Sequence, residues 1–312
     1  MLLLLTLACA PGASSYAILA TTDQGLHLWE DDALSSPLQA NTSLMARLGD
    51  HAVALSTESS WTVQRWDADG QMVDALPYDY LTTGQVWLTA PEVSRAYVVQ
   101  PGILELDFEA GTVTELSAPE EQETLYAVSA DASLQLLYSR VDGLSGVRVW
   151  EGDTPLFELD PLRFNHNTLA AFDADGARVY HLQEADGAGD AFGYTRLDDQ
   201  SFTPLRTTTA RVAAIERIGG QIVVLFDDQQ TWYAYDPDTD QETVLMEGRS
   251  PLGGLSGFAP DLAWALWGTE LYDTHEGFYR YELQKLPVEE GSRAVRLTEE
   301  VEFGVTGAVL LP

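Results

Sequence analysis

Asp236, Asp238 and Asp240 alternate along the chain, and Glu247 follows at the twelfth position counted inclusively from Asp236. Hard carboxylate oxygens at that spacing are the donor set of a Ca²⁺ loop. Gln241 stands where such a loop takes glycine, and Asp-Pro-Asp-Thr-Asp is also a good β-turn sequence. A hairpin turn without cofactor is therefore the first reading, and Ca²⁺ at Asp236, Asp238 and Asp240 is the alternative. Arg163, Asn165 and His166 put a cation, an amide and an imidazole within four residues, just before an expected strand. That combination suits ligand binding in a connecting loop. Trp87, Trp264 and Trp267 lie in segments expected to be inner strands, where an indole face could stack on a sugar ring. The sequence has no G-x-S-x-G, no P-loop, no H-E-x-x-H and no C-x-x-C, so no catalytic residue is assigned.

Cys9, the only cysteine, closes the apolar run from Met1 to Ala8 and precedes Ala10-Pro11-Gly12-Ala13-Ser14-Ser15. These residues resemble a bacterial lipoprotein signal. The resemblance implies lipidation at Cys9, export to the cell envelope and a flexible tether ending at residue 15. The plain alternative is a secretory signal with an incidental cysteine. One cysteine permits no intramolecular disulfide.

The charge narrows the partners. Against 49 acids stand 16 bases, with Lys285 the only lysine, giving a net charge of −33. Such a chain repels nucleic acid and anionic lipid surfaces, both of which need basic patches. The acids spread along the whole chain, which reads as a solvated acidic surface of the kind found in proteins from saline habitats. The anchor, if present, is the one expected link to a membrane, since no run of 18 apolar residues occurs.

The elements that must hold these residues repeat. Trp66-Asp67-Ala68-Asp69-Gly70, Leu106-Asp107-Phe108-Glu109-Ala110-Gly111 and Tyr235-Asp236-Pro237-Asp238-Thr239-Asp240 are versions of one hairpin. Each has an aromatic or leucine, an acid, a polar turn and a following strand that reaches leucine. Anchors at Trp29, Trp66, Leu106, Trp150, Leu197, Tyr235 and Leu283 recur every 37 to 48 residues. A four-stranded propeller blade takes about 40–50 residues. No segment keeps a helical period with caps. The reading is an all-β chain in which residues 1–15 are signal and tether and 16–312 are one β-propeller. Seven four-stranded blades are expected, with six or eight blades or a sandwich as alternatives. The first unit lacks a strand, and residues 303–311 supply one, so the C-terminal strand is expected to close the ring.

Ser129-Ala130-Asp131-Ala132-Ser133-Leu134 and Phe172-Asp173-Ala174-Asp175-Gly176-Ala177-Arg178 resemble the strand-entry loop of the WD-repeat and TolB-type propellers. Thr21 to Trp29 resembles the structural Asp-box turn of sialidase-like propellers. The first resemblance implies a binding or scaffolding platform. The expected function is thus a non-enzymatic, lipid-anchored monomer that binds an envelope protein or a glycan. The alternative is an exported hydrolase or lactonase with an axial carboxylate site.

Overall fold

The computed structural model describes residues 16–30, 33–58, 60–79, 86–100, 102–116, 124–141, 144–152, 154–159, 170–185, 189–208, 212–226, 231–246, 257–259, 262, 264–273, 278–287, 295–296 and 307–312. Strand character comes from both faces being apolar. In His51–Ser56, Val53 and Leu55 point into one apolar cluster while Ala52 and Ala54 point into another. A strand buried on both sides reads as a continuous hydrophobic run, and its residues part by the period of two.

Among the described residues the strands form seven four-stranded antiparallel sheets. Blade 1 joins Ala17–Thr22, Gly25–Glu30 and Ala33–Leu34 to the C-terminal strand Gly307–Leu311. Blade 2 runs Thr42–Leu48, His51–Ser56, Thr62–Trp66 and Met72–Pro77. Blade 3 has Val86–Ala90, Arg95–Gln100, Gly102–Asp107 and Thr112–Leu116, with a 3₁₀ turn at Pro91–Val93. Blade 4 comprises Thr124–Val128, Leu134–Val141, Leu144–Glu151 and Thr154–Leu159. Blade 5 contains Ala171–Phe172, Arg178–Ala185, Gly189–Arg196 and Phe202–Thr208. Val212–Ile218, Gln221–Phe226, Thr231–Asp236 and Gln241–Met246 make blade 6. Gly257–Phe258, Trp264–Asp273, Phe278–Pro287 and Val295–Arg296 make blade 7.

The first strand of blades 2 to 7, and the last strand of the chain in blade 1, is innermost. Apolar side chains fill every gap between neighbouring blades. Leu48, Val53, Leu55 and Val63 meet Ala96, Val98, Leu104 and Leu106 between blades 2 and 3. Tyr180, Phe192 and Tyr194 meet Ile222, Val224 and Tyr235 between blades 5 and 6. Ile18 and Ala20 meet Ala259 of blade 7, which completes the circle.

Closure sets the geometry of one whole end. Leu311 pairs with Ala17 and Gly307 with Thr21. In blades 2 to 6 a turn or short loop joins the innermost strand to the second. In blade 1 the two ends of the propeller, Pro312 and Tyr16, occupy that place. We call this the turn end of the ring, and the end where one blade passes to the next the loop end.

Two innermost strands escaped the sequence reading. Thr42–Leu48 carries only Leu44, Met45, Ala46 and Leu48 as apolar residues, and Gly257–Phe258 is two residues long. The second omission displaces an expectation: Trp264 and Trp267 stand on the second strand of blade 7, not on an innermost strand.

Candidate functional site at the turn end of the axis

The residues singled out by sequence part company in the structure. Cys9, Arg163, Asn165, His166 and Glu247 lie outside the described residues. Trp87 is on an innermost strand, but its ring sits 6.5 Å from Tyr78, which stacks in turn on Trp61 at 6.4 Å. These rings pack on the core between blades 2 and 3. Asp236, Asp238 and Asp240 do not converge on one point. The Asp236 carboxylate accepts the amides of Asp238 at 2.9 Å and Thr239 at 3.4 Å. Asp240 instead accepts from the Arg178 guanidinium of blade 5 at 3.1 Å. Among the described residues no three His, Cys, Asp or Glu side chains are grouped to hold a metal ion.

Two histidines are fixed by the same arrangement. His181 Nδ1 donates to Leu182 O at 3.0 Å, and Thr195 Oγ1 donates to its Nε2 at 2.8 Å. His27 Nδ1 donates to Ser35 O at 2.9 Å, and its Nε2 is hydrogen-bonded to Thr22 Oγ1 at 2.9 Å. A carbonyl can only accept, so in each ring Nδ1 carries the proton it donates. Burial lowers the His181 pKa to about 4, which keeps it neutral. Both rings act as rivets between strands.

The turn end of the axis is different. Most described arginines are matched to a carboxylate: Arg65 to Asp74 at 2.6 Å, Arg95 to Asp107 at 2.9 Å, Arg196 to Asp198 at 2.7 Å and Arg206 to Glu242 at 3.0 Å. Arg178 pairs with Asp240 as above. Arg47 and Arg217 have no carboxylate partner among the described residues. Arg47 Nε donates to Gly49 O at 2.9 Å.

These two arginines occupy equivalent positions. Arg47-Leu48-Gly49-Asp50 ends the innermost strand of blade 2, and Arg217-Ile218-Gly219-Gly220 ends that of blade 6. In each, arginine is second from last and pairs across a two-residue turn, Arg47 with Ala52 and Arg217 with Ile222. Gly49 at φ +60° and Gly219 at +57° provide the left-handed backbone the turns need. Leu48 and Ile218 enter the cores toward blades 3 and 7, so each arginine takes the opposite face of its strand. Blades 2 and 6 lie three positions apart one way and four the other, nearly across the axis.

Acids lie near both without forming an ion pair among the described residues. Glu92, Asp173 and Asp131, from blades 3, 5 and 4, favour the Arg217 cation, and Asp50 and Tyr16 favour that of Arg47. Desolvation is the larger effect at both, and each pKa falls below the usual arginine value. Asp131 is itself occupied: Ser129 Oγ donates to it at 2.7 Å, and Ser133 N at 3.0 Å, which holds its pKa low. Asp173 is buried, which raises its pKa, and it accepts the Arg178 amide at 3.1 Å. Beside Arg217, water reaches Glu216, yet enclosing protein desolvates the carboxyl enough to raise its pKa. That pairing of access and enclosure fits a side chain lining the axis.

Arg47, Arg217 and Glu216 were not singled out from sequence, and Asp131 and Asp173 entered only as strand-entry loop residues. The signal was present, because Arg-(Leu/Ile)-Gly recurs at the end of a strand in two repeats. It was hidden because the blade 2 strand that carries the first copy was not recognised.

No family model matches the chain, and no curated protein matches it. Solved structures share its fold. An oligogalacturonate lyase from Vibrio parahaemolyticus aligns with TM-score 0.58 at 10% identity, covering 91% of this chain and 85% of that one. An oligogalacturonate lyase in complex with manganese gives 0.54 at 12% identity, over 90% and 83%. TolB from Acinetobacter baumannii aligns with 0.49 at 15% identity over 81% of this chain, which spans 63% of the TolB chain. The likeness is to β-propellers at low identity, and it is a likeness of fold.

Proposed function

We propose that this chain is an exported, lipid-anchored β-propeller that acts as a non-enzymatic binding module for an envelope protein or glycan. The observation that carries this reading is where the ring begins and ends. Tyr16 and Pro312 both sit at the turn end, so a tether from Cys9 would hold that end toward the membrane. The seven residues from Cys9 to Tyr16 reach at most about 25 Å at 3.3–3.6 Å per residue. The loop end then faces outward and receives the partner. Cross-linking amino acids placed in the native host test this. Exposed Glu58 and Asp79 at the loop end should capture one common partner, while Asp69 and Asp175 at the turn end should not. Capture from the turn end alone, or from neither end, would overturn the proposal.

Glu216 favours a second reading, an exported hydrolase or lactonase. A carboxyl with raised pKa on an innermost strand has the character of a general acid. Turnover of an ester or lactone panel that Glu216→Gln abolishes at unchanged melting temperature would establish it.

A further inference from the structure

The geometry points to a carboxylate-binding site at the turn end of the axis, with Arg47 and Arg217 as opposed walls and a small polycarboxylate as ligand. In a chain with 49 acids and 16 bases, an arginine finds a carboxylate easily. Arg65, Arg95, Arg178, Arg196 and Arg206 all have one within 3.1 Å. Arg47 and Arg217 have none among the described residues, and they are at equivalent positions of blades nearly across the axis, on the innermost strands. A partly desolvated guanidinium without a bidentate partner forgoes its strongest bonds, and an arriving carboxylate restores them.

The neighbouring acids argue against anion entry and must be weighed. Asp131 and Asp173 spend acceptor capacity on their own turns. Acids farther away are screened at physiological salt, where the Debye length is about 8 Å. At both arginines the loss of water outweighs the acids. A ligand with two or more carboxylates can engage both walls, whereas acetate can engage one at a time. This inference is independent of the partner at the loop end and does not fall with it.

Calorimetric titration of the intact chain with malonate, glutarate and citrate, at ionic strength held constant with chloride, tests it. At least one should bind saturably at one per chain, and acetate should not. Arg47→Gln and Arg217→Gln should each weaken binding about ten-fold or more, and the double variant should remove it. Arg196→Gln lowers the net positive charge equally but breaks an exposed pair away from the axis, and should leave affinity unchanged. Arg47→Lys and Arg217→Lys, which keep the charge but lose the fork, should bind in between. Absence of saturable heat from all three acids, or an equal loss in Arg196→Gln, would overturn the site. Melting temperatures within a few degrees of the parent certify each variant as folded.

Discussion

His181 shows how a titratable side chain can be structural. It is 1% exposed, both ring nitrogens are hydrogen-bonded, and burial is what disfavours the charged ring. Its folded pKa of about 4 lies below the ordinary 6.5, so the unfolded chain binds the proton more readily between these values. The stability this provides is complete above pH 6.5 and is lost as pH falls toward 4. At 1.36 kcal/mol per pH unit the loss is about 3 kcal/mol. Denaturant unfolding between pH 7 and 4 should show it, and His181→Gln should flatten that part of the curve. Parallel curves for parent and variant would refute the assignment. Thr195→Val should cost about 1–3 kcal/mol at pH 7, because it leaves Nε2 buried without a donor. Neither partner was legible in sequence: Thr195 is fourteen residues away and meets His181 only through the strand pairing.

At the scale of the element, acids mark turns far more than sites. Asp67 Oδ1 accepts the amides of Asp69 at 3.0 Å and Gln71 at 2.8 Å, and Asp107 Oδ1 accepts that of Ala110 at 2.7 Å. The repeated hairpin was readable because this bonding is local. The innermost strands were harder to read, since Gly257–Phe258 has almost no length over which a period of two could appear. The same limit moved Trp264 and Trp267 off the axis. Irregular pairing also hides from sequence. Between the third and fourth strands of blade 5 the ladder shifts at Phe192/Gly193, and Gly193 faces Pro204. A Cβ there would collide with Thr203 O and lie 2.8 Å from the Phe202 ring. Backbone cannot yield as a flexible side chain does, so Gly193→Ala should cost about 1–3 kcal/mol or more. Gly111→Ala tests the contrast, because nothing lies within 4 Å of its added Cβ and only its φ of +68° is strained. It should cost about 1 kcal/mol. Equal losses at the two glycines in thermal melts would contradict the packing argument.

The whole molecule depends on two forces that pull apart: closure, which favours the ring, and charge, which strains it. Closure is carried by Gly307–Leu311, whose Leu310 and Leu311 are buried between blades 7, 1 and 2. Removing residues 307–312 exposes the edge of Ala17–Thr22 and uncovers both interfaces, so the truncated chain should lose cooperative unfolding and associate. A monomer that still melts in one transition would show closure to be dispensable. Charge acts on every blade at once. Salt weakens the arginine pairs, but exposed pairs contribute only about 0–1 kcal/mol each. It also screens repulsion among 49 acids, which outnumber bases three to one. Repulsion is therefore the larger quantity, and screening it should dominate. The melting temperature should climb from low salt to about 1 M NaCl and to a similar degree in KCl, because the effect follows ionic strength, not ion identity. A flat or falling curve would mean that the ion pairs outweigh the repulsion, and would remove the case for a surface adapted to saline conditions.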